Sequence, residues 1–540
     1  MTPLRALLIA LLLGGCSSGD PVDRLVSRLS DSTRREQSID ALLVLVRQTP
    51  RSSRPRVQER VVHALMEAYR EDTARPAIVA ALALLRDKRA EEVFVAAVRD
   101  ADRGGGYFDA AVRSARMIGE LDLRNQVPTL VKALDRLLSN PREDRNTWLE
   151  RSLIQALERL ADPRAVPVLI KALGANPTRI DFYINRMAAH ALGVLRDPRA
   201  VDPLIASLGA TSHGLLLYEE SRRALCRIGA PAIKGLLRTA GRRDAKHRPA
   251  AIAPAAVAVL GDLGRRDLAP AITALARPDD PPELQLALAR TLLRLGQRDA
   301  QQSVLRLLQD RKASITHRRQ AADILGWYGS EDVLAPLLPT LCAPGPRGGA
   351  SLDSAGQLLC FSAVLANGRT QLSADGAPEL QTLLDPMGEA GRQRLAASRV
   401  RIDMVQSCAA HGEAPALRDC LLHQLSTATN WRVQERAALR LRRLAPTLGM
   451  DLALPLARRL PTVHPQVQQA ILVSLEQLQL RPEDLGAVHK ALQTLIDGSG
   501  KEAGPHGATS PGIIGRATCL DERLRVGHEA AGETRNGEKR

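Results

Sequence analysis

Two Cys-x-x-His pairs lie close together in this 540-residue chain, Cys408-Ala-Ala-His411 and Cys420-Leu-Leu-His423. Two thiolates and two imidazoles so arranged can hold a tetrahedral zinc ion. The same sulfurs can instead join as a disulfide, and the redox compartment decides between the two. Cys408 falls in the last turn of one predicted helix and Cys420 more than a turn into the next, so antiparallel packing brings them to a similar height. Cys342 and Cys360 flank a Gly/Pro loop in the same way. Cys226 follows Ala224-Leu225 in a helical pattern and reads as a small buried apolar residue. His63, His190, His213, His247 and His317 make neither a helical i, i+4 ligand pair nor a triad with Ser and Asp. There is no Gly-x-Ser-x-Gly and no P-loop. Gly104-Gly-Gly106 lacks the preceding strand and the following Lys/Ser of a phosphate cradle. No catalytic residue, metal or cofactor is expected from these patterns.

The N-terminus supplies the compartment. Met1-Thr-Pro-Leu-Arg5 is a basic start, Ala6 to Leu13 a short apolar core, and Gly14-Gly15-Cys16-Ser17-Ser18-Gly19-Asp20 a run of small polar residues. That order makes residues 1–15 a signal peptide, with a core too short for a stable membrane span. Leu13-Gly-Gly-Cys16 resembles the bacterial lipobox. The resemblance implies diacylglycerol on the Cys16 sulfur, cleavage before Cys16 and acylation of its amine, with residues 16–21 as lipidated cysteine and tether. Two or three acyl chains anchor firmly in a bilayer. An ordinary secretion signal with an incidental cysteine is the alternative. Ser17 in place of Asp after the cysteine implies an outer-membrane lipoprotein at the periplasmic face or cell surface. An exported chain meets oxidising conditions. Disulfides Cys342–Cys360 and Cys408–Cys420 are therefore expected ahead of zinc, with Cys360–Cys408 as the alternative pairing. Each would add about 2–4 kcal/mol.

The elements that carry these residues are helices. Val166, Leu169, Ile170 and Leu173 fall at i, i+3, i+4, i+7, and so do Val201, Leu204, Ile205 and Leu208. Val127, Leu130, Val131 and Leu134 repeat the stripe upstream, and Leu268, Ala271, Ile272 and Leu275 downstream. Before each stripe runs an Ala/Leu-rich helix such as Ala188, Ala191, Leu192, Leu195, whose small residues admit a close neighbour. Asp162-Pro163 and Asp197-Pro198 separate the two helices, because the residue before proline leaves the α region and proline suits a helix's first turn. The turn recurs at roughly 32–40 residues, the range of two-helix solenoid repeats, and such pairs bury their stripes by stacking.

The run Arg186-Met-Ala-Ala-His-Ala-Leu-Gly193, Asp197-Pro-Arg-Ala-Val201, Pro203-Leu-Ile205 and Leu208 resembles the HEAT-like repeat first named for phycobilin (PBS) lyases. The likeness is strong from about Asp87 to Leu341. It implies an all-α, HEAT-like α-solenoid, a right-handed superhelix of about a dozen antiparallel helix pairs, and it implies an adaptor or scaffold more than a reaction. With aromatics at only 2%, the core must be Leu, Val, Ile and Ala. The expected divisions are a repeat solenoid at 22–341 (most regular from 87), divergent helical repeats at 342–496 after the break Ala343 to Ala350, and a disordered tail at 497–540, rich in Gly, Pro and charge.

Lys and Arg outnumber Asp and Glu by 75 to 59, a formal charge of +16. Nucleic acid fits that charge but not the export signal. The turn arginines Arg89, Arg124, Arg164, Arg199, Arg266 and Arg298 read as structural, pairing with the turn aspartates and helix-end carbonyls. In HEAT-like solenoids the second helices line the concave surface. The column five residues after each first stripe position then reads Lys132, Lys171, Ala206, Lys234, Thr273, Arg306 and Pro339, so that Lys132, Lys171, Lys234 and Arg306 make a broken concave basic stripe for binding a partner. The expected function is that of a membrane-anchored lipoprotein scaffold that binds another cell-envelope protein with an acidic surface and is not an enzyme. A binder of anionic glycolipid or polysaccharide is the alternative, and a phycobilin-lyase-like enzyme a weaker one.

Overall fold

The computed structural model describes residues 20–29, 31, 33–71, 75–140, 147–176, 182–212, 215–330, 333–342, 356, 358–360, 362–364, 366, 408, 414–448, 452–478, 480–498 and 509–537. Cys16, the signal peptide, most of the tether, His213, His411 and the break Ala343–Ala350 lie outside the described residues. In chain order the helices are α1 (Pro21–Val26), α2 (Arg35–Gln48), α3 (Arg54–Arg70), α4 (Arg75–Leu85), α5 (Glu91–Arg99), α6 (Gly106–Glu120), α7 (Val127–Ser139), α8 (Trp148–Leu160), α9 (Val166–Leu173), α10 (Phe182–Leu195) and α11 (Val201–Ser207). They continue as α12 (Tyr218–Ile228), α13 (Ala232–Gly241), α14 (Ala253–Leu263), α15 (Ala269–Thr273), α16 (Pro282–Arg294), α17 (Gln301–Gln309), α18 (Ile315–Tyr328) and α19 (Leu338–Leu341). Last come α20 (Ala414–Thr427), α21 (Trp431–Leu448), α22 (Ala453–Arg459), α23 (Pro465–Gln477), α24 (Leu485–Gly498) and α25 (Pro511–Gly537). The only strands among the described residues are the two-residue pieces Thr211–Ser212 and Leu215–Leu216.

Each pair is built around its turn. The first helix ends on a residue with positive φ, as at Arg86 (52°), Ala161 (49°) and Arg196 (53°). The next residue, Asp87, Asp162 or Asp197, is extended, and its carboxylate accepts the backbone N–H of Arg89, Arg164 or Arg199 at 3.0, 2.9 and 2.9 Å. The same arginine forks back onto the carboxylate, Arg164 Nε and Nη2 donating at 2.9 and 2.7 Å. Its Nη2 also reaches the previous repeat. Arg164 donates to the Arg124 carbonyl at 3.1 Å, and Arg199 to the Pro163 carbonyl at 2.9 Å. A planar five-donor group can bridge two turns in this way. These arginines are structural. At the downstream turn the residue that pairs is Arg265, onto Asp267 at 2.8 and 2.7 Å, while Arg266 Nη2 donates to the Gln477 carbonyl.

The helices sort into two compact units, Met1–Pro203 with Ser212–Leu215, and Leu204–Thr211 with Leu216–Arg540. The expected division after residue 341 is not where the described chain divides. One apolar cluster of the second unit runs from Leu286 through Leu325 and Leu338 to Cys342, Cys360 and Ala366, so helix stacking continues past 341. A second cluster joins Trp327 of α18 to α20–α25.

Two expectations for the C-terminus need correction. The tail is not structureless: α25 is helical over Pro511–Gly537, and Ile513, Ala517 and Leu520 are buried with Arg516, Thr518, Cys519 and Asp521. Nor is Cys226 a mere apolar filler. It is bonded to Cys519, 293 residues away, with a Cα–Cα separation of 5.1 Å. The helix carries no regular apolar stripe because its buried face mixes apolar and charged side chains. It hides Arg516 and Asp521 by pairing them, which a hydrophobic stripe does not register. Cys342 is joined to Cys360 and Cys408 to Cys420, with Cα–Cα separations of 4.8 and 5.7 Å.

Candidate functional site

A cleft of about 910 Å³ that could hold a ligand lies in the second unit. Its walls are first helices. Ala255, Ala258 and Asp262 face it from α14, Glu283, Ala287 and Arg290 from α16, and Thr316, Arg319 and Asp323 from α18. Each set recurs at helical spacing, so every helix contributes one column. Tyr218, Glu219 and Arg222 of α12 close one end, and Ser510, Gly512, Ile513 and Arg516 bring in α25. The C-terminal helix packs on α12, α14 and α23, and so joins the unit's beginning to its end.

A buried ionic chain holds these elements together. Arg222 Nε donates to Asp262 Oδ2 at 2.6 Å, and its Nη1 to Glu219 Oε2 at 2.9 Å. Arg294 Nη1 donates to Asp262 Oδ1 at 2.7 Å and Nη2 to Glu476 Oε1 at 3.1 Å. Arg516 Nε donates to Glu476 Oε1 at 2.6 Å, and Arg516 Nη2 also meets the Tyr328 hydroxyl. Five helices, α12, α14, α16, α23 and α25, thus share one run of charges, with α18 attached through Tyr328. Gly515 makes the approach possible: a Cβ there would lie 2.6 Å from Glu219 Oε2. Gly264 does the same for Arg523, with φ +64° and no room for a Cβ beside the Arg523 guanidinium.

Burial alone would raise the Glu476 carboxyl, but Arg294 and Arg516 outweigh it and hold the group down to about 2. Burial likewise opposes ionisation of Asp262, and Arg222 and Arg294 keep it well below the usual carboxylate range. Burial, reinforced by Asp262, pushes the Tyr218 phenol up to about 12. These carboxylates therefore stay charged through neutral pH. Because both folded values lie below the unfolded ones (roughly 4), their stabilisation is complete above about pH 5 and is lost as pH falls through the folded values. Acid unfolding of the second unit, followed by circular dichroism, is expected between about pH 4 and pH 2. A loss of structure already at about pH 6 would contradict the assignment of these groups.

A family profile for HEAT repeats matches residues 134–221 and 268–346. Those residues carry HEAT repeats, and the fold is an all-α HEAT-like solenoid. No curated protein matches it by sequence. Similar solved structures include Kap121p bound to Pho4p, at 12% identity and TM-score 0.36, over 99% of this chain and 66% of that one. This chain thus spans just under two thirds of that relative's length. Importin beta is similar at 12% identity and TM-score 0.37, over 97% of this chain and 81% of that one. The CpcE–CpcF complex of phycocyanin lyase from Nostoc sp. PCC7120 is similar at 21% identity and TM-score 0.21, over 55% of this chain and 93% of that one.

In this HEAT-like solenoid the anticipated basic column is not where the cleft lies. Lys234 on α13 and Arg306 on α17 are exposed, but both belong to second helices and neither lines the cleft. Lys132 on α7 and Lys171 on α9 are exposed in the other unit, and Lys171 Nζ is already paired with Asp135 Oδ1 at 2.5 Å and Ser139 Oγ at 2.7 Å. The reason is the small residues of the first helices. A Cβ at Gly261 would stand 3.0 Å from Thr291 Oγ1, and one at Gly326 would stand 2.8 Å from the Ala366 Cα. Such close approach sets α14 against α16, and it leaves the solvent side of these first helices to form the wall. Sequence reasoning therefore missed Arg222, Asp262, Arg294, Glu476 and Arg516. One signal was available. Asp262 and Arg294 occupy the same place in successive repeats, just before the leucine that ends the first helix, and they pair. Glu120 and Arg159 do the same in the first unit, at 3.3 Å.

Proposed function

We propose that this HEAT-like solenoid is a lipid-anchored scaffold that binds another protein of the bacterial cell envelope, held through acyl chains on Cys16 at the outer membrane. Solenoids of this kind present extended, curved surfaces for recognition. The observation that carries the reading is the cleft itself. Successive first helices display parallel columns of polar and small side chains, while the ionisable groups beneath them are locked in charge pairs. A floor of that kind suits holding a partner. Among the described residues its buried carboxylates Asp262 and Glu476 are held charged by arginines, as a rigid binding floor requires. The lipobox at Leu13–Cys16 motivates the anchor, and no helix among the described residues is long and apolar enough to cross a membrane.

A pull-down from detergent-solubilised envelopes tests the scaffold. One stoichiometric protein is the expected result, and recovery of none would count against it. Cys16→Ser tests the anchor separately. The variant is expected to leave the membrane fraction or to accumulate as uncut precursor, and unchanged processing with unchanged membrane association would contradict lipidation. A second reading, binding of an anionic glycan, is favoured by one edge of the first unit. There Trp148 and Tyr183 are about half exposed, and Arg151 lies over both rings at 5.4 and 4.9 Å from their centroids. Retention on acidic-glycan beads, lost with Trp148→Ala, would support that reading instead.

A further inference from the structure

We propose that the cleft of the second unit is the partner site, and that its occupant is an extended acidic segment of a polypeptide gripped by Arg290 and Arg319. This rests on the scaffold reading and narrows it to one surface and one class of partner.

The argument begins with the charges that already have counter-ions. Arg222 is neutralised by Glu219 and Asp262, Arg294 by Asp262 and Glu476, and Arg516 by Glu476. Glu283 lies 2.9 Å from His317 Nε2, an ion pair when the imidazole is protonated, and Asp323 is engaged by another residue. Two cations remain. Arg290 on α16 is exposed and has no partner among the described residues. Arg319 on α18 is exposed and, among the described residues, donates only to the Ser362 hydroxyl, at 2.9 Å. Both are guanidinium groups, whose forked donors match a carboxylate. Donors are in excess beneath them as well, since the buried Arg294 Nε has no acceptor. The local field has the same sign: burial would raise the Tyr328 phenol, yet Arg516, Arg294 and Arg290 together lower it.

The spacing selects the ligand. Neighbouring packed helices stand about 8–10 Å apart. Carboxylates two or three residues apart on an extended chain match that interval, because the chain rises about 3.3 Å per residue, and each guanidinium then takes its own carboxylate. The small side chains of Ala255, Ala258 and Ala287 leave room in the cleft for a peptide's apolar side chains. The cleft volume also falls within the range of sites that enclose a compact ligand.

The test uses the full-length protein and a short fluorescein-labelled peptide of alternating glutamate and alanine, read by fluorescence anisotropy. Saturable binding that weakens as salt rises is expected. Arg290→Glu combined with Arg319→Glu should weaken it by about tenfold or more, with the alanine pair in between. Circular dichroism should be unchanged, since both side chains are exposed. A glutamine–alanine peptide and inorganic phosphate should fail to compete. Equal binding by wild type and the double Glu variant, or equal competition by the glutamine peptide, would overturn the proposal. The two readings fail separately. If the double variant still captures the envelope partner, the site is wrong while the scaffold stands. If the wild type captures no stoichiometric protein, the scaffold reading itself falls.

Discussion

Glu476→Gln is expected to destabilise the second unit by about 3–5 kcal/mol. The carboxylate lies between Arg294 and Arg516, at 3.1 and 2.6 Å, and all three side chains are buried. The amide keeps the volume but removes the charge, leaving two buried guanidinium groups without their shared counter-ion. Breaking one member of a buried pair costs far more than the pair contributes as a whole. Removing a cation at the same time should therefore restore much of the loss. Glu476→Gln with Arg516→Met is expected to be more stable than Glu476→Gln alone, because fewer uncompensated charges remain. Urea unfolding monitored by circular dichroism measures both variants. A loss below about 1 kcal/mol for Glu476→Gln would show that water, and not Arg294 and Arg516, is the group's real environment.

Cys519→Ser should have an effect of similar size by a different route. The bond to Cys226 closes a loop of 293 residues, nearly the whole second unit. In the chain-entropy account a cross-link over a loop that long restricts the unfolded chain by about 5 kcal/mol. The shorter bridges, with separations of 18 and 12 residues, should contribute about 3 kcal/mol each. Cys519→Ser is therefore predicted to lower the urea midpoint more than Cys360→Ser does. It should also make α25 the first segment cut by protease. Free thiols at Cys226 and Cys519 in envelope-derived protein, found by non-reducing peptide mapping, would contradict the closure.

The fold was legible because helix–turn–helix repeats write themselves at fixed intervals. The stripe Val166, Leu169, Ile170, Leu173 and the turn Asp162-Pro163-Arg164 each state a local physical rule, and each recurs. The cleft was not legible in that way. Its residues meet through packing between α12–α18 and α23–α25, over separations of 182 and 40 residues for the pairs Arg294–Glu476 and Arg516–Glu476. Nothing in a local pattern announces such pairs. The tail was misjudged because Gly512, Gly515 and Arg516 look like features of an unstructured segment, whereas Gly515 makes room for a neighbour and the arginine is charge-paired. Cysteine parity did hold a clue. Once Cys16 is set aside for lipid, six cysteines remain, and pairing four of them leaves Cys226 and Cys519 for each other. The basic column is a separate surface. It took from the family which helix faces inward, whereas the cleft belongs to the first helices.

Site-specific photo-crosslinking in intact envelopes tests the central claim, that a protein occupies the cleft of the first helices. Ala287, between Glu283 and Arg290 on α16, is replaced by a photoreactive residue, and Lys234 on the second helix α13 by the same residue as a control. A discrete protein adduct from position 287, absent from position 234 and diminished by Arg290→Glu, is the predicted result. An adduct from position 234 with none from position 287 would contradict it.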